Sequence, residues 1–253
     1  MTNGEKMKPK KLVKKGKWWF RALKTLMKGR YKAPEFIFLG GEPFEDGSLI
    51  LSNHEGTDAP MAMEMWLDKP FRIWGTHEMN SGLVKMYKYQ TRVYYHEKKH
   101  WNLHLARLFC LLASPLTNLF YKGLNLISTY KDARFMKTIR ESLQAVNDGY
   151  SIVVYPEDSE KGYLEQLEDF YLGFAVFAEA ALKKGVDLPV VVSYFKKKEN
   201  VYIFDKGLRY SVLKAEHGDK EKVAKALLDR CNELGRMNAS ELVEEENAKQ
   251  NNL

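Results

Sequence analysis

Cysteine is scarce in this 253-residue chain: there are two, Cys110 and Cys231, far apart and without metal-type spacing. That excludes a disulfide scaffold and suits a reducing compartment. Nor are staples needed, because a chain of this length buries roughly three quarters of its unfolded surface. Long apolar runs are missing too. The nearest, LHLARLFCLLASPLTNLFYKGLNLI (103–127), is broken by His104, Arg107, Pro115, Asn118 and Lys122. It reads as a largely buried or membrane-grazing helix followed by a strand, not as a span. A secretory leader is not expected, since KLVKKGKWWFRALKTLMKGR carries charge every three or four residues where a leader needs an apolar core. Acid is nearly absent at the start. Residues 1–32 hold ten lysines and two arginines against Glu5, so the remaining chain is net acidic although the whole carries +7.

What is there begins with a helix. Lys17, Arg21, Lys24 and Lys28 recur at i, i+4, i+7 and i+11, one basic stripe. Trp19, Ala22, Leu23, Leu26 and Met27 share another face, with Trp18 and Phe20 flanking it. Such a helix fits the surface of an anionic membrane, where each cation adds about 1 kcal/mol and tryptophan settles at headgroup depth. The alternative is a helix that packs its apolar face on the domain and leaves its lysines in water. No nucleic-acid motif accompanies the charge, so nucleic acid is not an expected partner. Residues 1–33 are thus expected to be a membrane-surface segment of a peripheral protein on the cytoplasmic face of the cell membrane.

Past Pro34, short β-branched and aromatic runs alternate with helical stretches. EFIFLG (35–40), SLILSN (48–53), FRIWG (71–75), LNLIST (124–129), SIVVYP (151–156), LPVVVSYF (188–195) and VYIFDKG (201–207) read as strands. Helices are predicted at about 58–67, 98–120, 131–148, 168–184 and 219–236. The alternation predicts an α/β fold over 34–236, with a mixed, largely parallel sheet flanked by helices. Residues 237–253 lack an apolar face and are expected to be a polar, disordered tail.

Three stretches carry chemistry. In SLILSNHEGTDAP (48–60), His54 follows an apolar strand end and Asp58 opens the next helix. Asp58 alone reads equally as a helix cap. With His54 it makes a general base and its orienting acid. In SIVVYPEDSEKG (151–162), Pro156 ends a strand and aims Glu157 into the crevice where ligands of open α/β sheets bind. In YHEKKHWNLH (95–104), His96, Glu97 and His100 match the zinc-protease pattern formally, with two lysines between the imidazoles. A solvated basic helix start accounts for them as well, and no metal is expected.

In their order along the chain, these stretches resemble the phospholipid/glycerol acyltransferase family, typified by 1-acylglycerol-3-phosphate acyltransferase. The family's Asn-His…Asp motif is matched by Asn53, His54 and Asp58, with three intervening residues where the family has four. Its Gly-aromatic-x-x-Ile-Asp-Arg motif is matched loosely by GLNLIST from Gly123, and its Phe/Tyr-Pro-Glu-Gly-Thr/Ser-Arg motif by Tyr155 to Glu160. THEM (76–79) stands where the family has a Lys-x-Glu-Leu segment. The family's two phosphate-holding arginines fall at Thr129 and Glu160, with Lys131 and Lys161 close by.

The resemblance implies a glycerol-3-phosphate acyltransferase-like fold and direct acyl transfer. His54, oriented by Asp58, deprotonates the hydroxyl of a lysolipid, by default 1-acylglycerol-3-phosphate. That hydroxyl attacks the thioester of acyl-CoA or acyl carrier protein, the co-substrate, and no further cofactor is implied. Asn53, Gly123, Lys131, Pro156, Glu157, Ser159 and Lys161 are the implied substrate-binding residues. A lysolipid without phosphate, such as an amino-acid lipid or glycolipid, and a non-catalytic lipid-binding role remain open alternatives.

Overall fold

A computed structural model describes residues 17–29, 32–157 and 163–250. Eight strands form one sheet: β1 (Glu35–Phe38), β2 (Leu49–Ser52), β3 (Phe71–Thr76), β4 (Ile127–Thr129), β5 (Ser151–Val154), β6 (Pro189–Lys196), β7 (Val201–Phe204) and β8 (Leu208–Arg209). The order is β1-β7-β6-β2-β5-β3-β4, with β8 on β6. All pairings are parallel except those of β6 with β7 and β8. The predicted mixed, largely parallel sheet flanked by helices is therefore what the chain forms.

The central strands explain their own apolar runs. β2 and β5 are buried at every position, because parallel strands are covered on both faces and gain from apolar residues throughout. Leu49, Leu51, Ile152 and Val154 face one layer; Ile50, Val153 and Val191 face the other. The first layer receives α5 (Phe135–Asn147), α6 (Gly173–Lys183) and α8 (Lys220–Arg236). The second receives α2 (Asp58–Trp66) and the end of α4 (Leu103–Leu124).

Some elements were not anticipated. A 3₁₀ turn (His77–Asn80), α3 (Leu83–Tyr89) and a π-helix (Gln90–Lys98) precede α4, and α7 (Tyr210–His217) precedes α8. The expected disordered tail gives way to α9 (Ala239–Gln250): Ala239 is buried, and Leu242 and Val243 pack on the core. Three apolar residues in one turn suffice to dock a helix whose remainder is polar.

The first helix, α1 (Trp18–Lys28), docks on the domain. Phe20 is buried with Met65 and Phe120, and Trp19, Leu23 and Met27 pack around them. Gly123 makes this possible, since a Cβ there would lie 2.0 Å from the Phe20 ring. Two of the expected membrane cations are taken up by the protein. Lys24 pairs with Glu64 at 3.0 Å, and Lys28 Nζ sits 4.3 Å from the Trp66 ring centre. Lys17, Trp18 and Arg21 remain exposed. Of the apolar face expected to enter lipid, Trp19, Leu23 and Met27 turn to the domain, while Ala22 and Leu26 stay exposed.

Candidate active site

The register of two neighbouring strands builds the site. Leu51 of β2 pairs with Val154 of β5 in parallel. His54 and Glu157 each lie three residues further on, so they emerge side by side at the carboxyl edge. There the His54 backbone N–H donates to Glu157 Oε1 at 2.5 Å. Glu157 is buried, and the stretch is tied down further by its bridge to Phe170 and by Tyr171 N–H donating to Pro156 O at 2.7 Å. Burial pushes the Glu157 carboxyl up to about 7 against the His54 amide, which lowers it; Glu55 nearby adds to the rise.

Asn53 anchors the loop from the other side. Its Nδ2 donates to Phe195 O at 3.1 Å, and its Oδ1 accepts the Phe195 N–H at 2.7 Å. This buried amide therefore splices the end of β2 to β6. Its hydrogen-bonding groups face backbone rather than a ligand.

The His54 ring lies between two aromatics. Tyr163 stacks on it at 5.2 Å and 21°, and Tyr155 meets it edge-on at 5.0 Å. Burial raises the Tyr163 phenol, as do the nearby Tyr94, Glu157, Tyr89 and Tyr121.

Asp58 departs from expectation. Three intervening residues would bring it back to His54 only if the turn were helical. Instead Glu55 and Gly56 follow His54 with φ of +41° and +69°, both left-handed, and α2 starts only at Asp58. Asp58 Oδ2 pairs with Lys197 Nζ at 2.7 Å, and no hydrogen bond or ion pair joins it to His54 among the described residues. Lys197 follows the carboxyl end of β6, beside β2. The run Lys196-Lys197-Lys198 at that strand end was the sequence signal for it. Tyr163 had none.

The other implied residues scatter. Gly123 lies against the Phe20 ring and serves the docking of α1. Lys131 follows β4, three strands from β2 and so about 14 Å away across the sheet; its Nζ lies 5.9 Å from the Tyr171 ring centre. Thr129 Oγ1 donates to Gly75 O at 3.0 Å. Arg134, just before α5, is paired with Asp132 at 2.7 Å. Ser159, Glu160 and Lys161 lie outside the described residues.

The zinc-type spacing is not realised as one helical face. The π-helix ends at Lys98, and His100 follows with φ of +55°. His96 Nδ1 sits 2.8 Å from Trp101 O. Among the described residues no cluster of His, Cys, Asp and Glu is placed to hold a metal ion.

Compared with known proteins, the chain matches no family model, and no curated protein matches its sequence.

Proposed function

We propose that the chain is a membrane-surface O-acyltransferase that moves a fatty acyl group from acyl-CoA or acyl carrier protein to the hydroxyl of a lysolipid. The observation that carries this reading is the side-by-side emergence of His54 and the buried Glu157 from adjacent parallel strands. The motif resemblance and a glycerol-3-phosphate acyltransferase-like fold go with it.

In this reading His54 takes the proton of the acceptor hydroxyl as its oxygen bonds to the thioester carbonyl carbon. The carbon–sulfur bond then breaks, and the thiolate leaves with that proton. Glu157 fixes the backbone of the base. Asp58 orients His54 in the working state by leaving Lys197, a partly exposed pair whose loss costs up to about 1 kcal/mol.

The acceptor's head group takes a second reading. Among the described residues the arginines around β4 are engaged, Arg134 by Asp132 and Arg72 by the carbonyls of Asn125 and Leu126, and Thr129 bonds Gly75. That favours a lysolipid without a phosphate monoester, such as an amino-acid lipid or glycolipid, over 1-acylglycerol-3-phosphate.

His54→Ala is expected to lower transfer of a labelled acyl group to a panel of lysolipids by about 10²- to 10⁴-fold, the usual contribution of a general base. Its circular dichroism should match the wild type. Unchanged transfer by a folded His54→Ala protein would rule the mechanism out, and lipid binding without turnover on any acceptor would favour a non-catalytic member.

A further inference from the structure

α4 is built inside out. The residues it buries are Ala106, Cys110, Ser114 and Asn118, with Phe120 near its end, and Ser114 Oγ donates to Gln90 Oε1 of the π-helix at 2.8 Å. The residues it turns outward are Leu105, Leu108, Leu112, Leu116 and Leu119, all exposed, Leu112 to 76%. They recur at i, i+3, i+7, i+11 and i+14 and make one unbroken stripe. Only 22% of the helix's most apolar 18-residue stretch is buried. Contiguous apolar surface on this scale is not left to water. Small and polar side chains inward, with leucines outward, is how a helix packs when hydrocarbon lies on its far side.

The rim says what kind of surface covers it. Residues 79–126 contain seven lysines and arginines against one acid, Glu97. Arg107 and Lys122 of α4, and Lys85 and Lys88 of α3, are exposed. Trp101 is exposed where α4 begins. At the other end Lys17 Nζ reaches Lys122 O at 3.4 Å, which places the exposed Trp18 of α1 alongside. Two copies pairing through this face would bring basic rims together. An anionic lipid surface would neutralise them.

We propose that α4 lies in the plane of an anionic lipid leaflet, its Leu105–Leu119 stripe among the acyl chains and its basic rim on the phosphates. It lies flat, because its inner side rests on α3, the π-helix and α1, and its far end returns directly to β4. A spanning pose would put His104, Arg107 and Lys122 in or near hydrocarbon. The main lipid contact is thus α4, not the N-terminal helix.

The test is flotation of the full chain with vesicles of phosphatidylcholine, alone or mixed with phosphatidylglycerol. The wild type should float with the mixed vesicles and far less with phosphatidylcholine alone. Leu112→Glu/Leu116→Glu should lose more than about tenfold of that binding. Its melting temperature should hold, since neither leucine is buried. Equal flotation of the double variant overturns the proposal, as does equal binding to both vesicle types. A wild type that ignores vesicles but forms a discrete oligomer, broken by the same substitutions, makes the stripe an interface between copies. Should the double variant unfold, Leu116→Cys carrying an environment-sensitive dye decides: a blue shift with mixed vesicles supports the proposal, and no shift overturns it. Flotation requires no turnover, so it can fail or succeed independently of the acyl-transfer reading; His54→Ala should float like the wild type.

Discussion

His54 and Glu157 depend on each other through a backbone amide, so the protonation of one carboxyl bears on both stability and activity. Glu157 titrates near 7 when folded and near 4.5 as a free side chain. Its folded pKa is the raised one, so its stabilising effect is complete below about pH 4.5 and is lost as pH rises toward 7. The loss amounts to about 3 kcal/mol by the usual conversion of pKa shift to free energy. Gln at this position keeps a carbonyl to accept the His54 N–H but cannot ionise. Urea unfolding at pH 5 and pH 8 should therefore show a marked fall for the wild type and a much smaller one for Glu157→Gln. At this scale the sequence exposed His54 and Glu157 clearly, because each ends an apolar run. The Lys196-Lys197-Lys198 run marked a cation at the end of β6 but not its pairing with Asp58, which depends on two left-handed residues and on the placing of β6 beside β2.

At the scale of elements, Gly123 decides how α1 meets the rest. A methyl group there would enter the Phe20 ring, and overpacking of this kind costs typically about 1–3 kcal/mol. Gly123→Ala should lower stability by that order and loosen α1, read by chemical unfolding together with faster proteolysis near Gly29. The strands were legible in sequence because buried parallel strands are written as unbroken β-branched runs. α3 and the π-helix were not, since MYKYQTRVYYHEK shows neither period clearly. α9 was missed because its docking rests on a few residues at one end. The docking role of Gly123 was not legible, because a glycine needed for close approach looks in sequence like one needed at a ligand.

The whole molecule divides its charge unevenly. Positive charge gathers in residues 1–32 and 79–126, and the rest is acidic. Binding to anionic vesicles should therefore weaken with salt as the screening length falls from about 10 Å at 0.1 M to about 3 Å at 1 M. It should not vanish, because burial of leucine is insensitive to screening. Flotation across a salt series should show a plateau above zero for the wild type and none for Leu112→Glu/Leu116→Glu. The basic start was plain in composition. The second basic stretch was hidden by averaging it with the acidic remainder, and the leucine stripe by the polar residues that interrupt it, since only the structure tells which side of the helix they occupy.

With α4 in a leaflet as proposed, the protein's fate in the cell is tied to the supply of bilayer. Every copy beyond what the membrane accommodates carries a naked strip of leucines into the aqueous phase, where other such strips are its nearest substitute. Over-production should then give a sharp ceiling on soluble yield, and enlarging the host's lipid stock should raise that ceiling without any change to the chain.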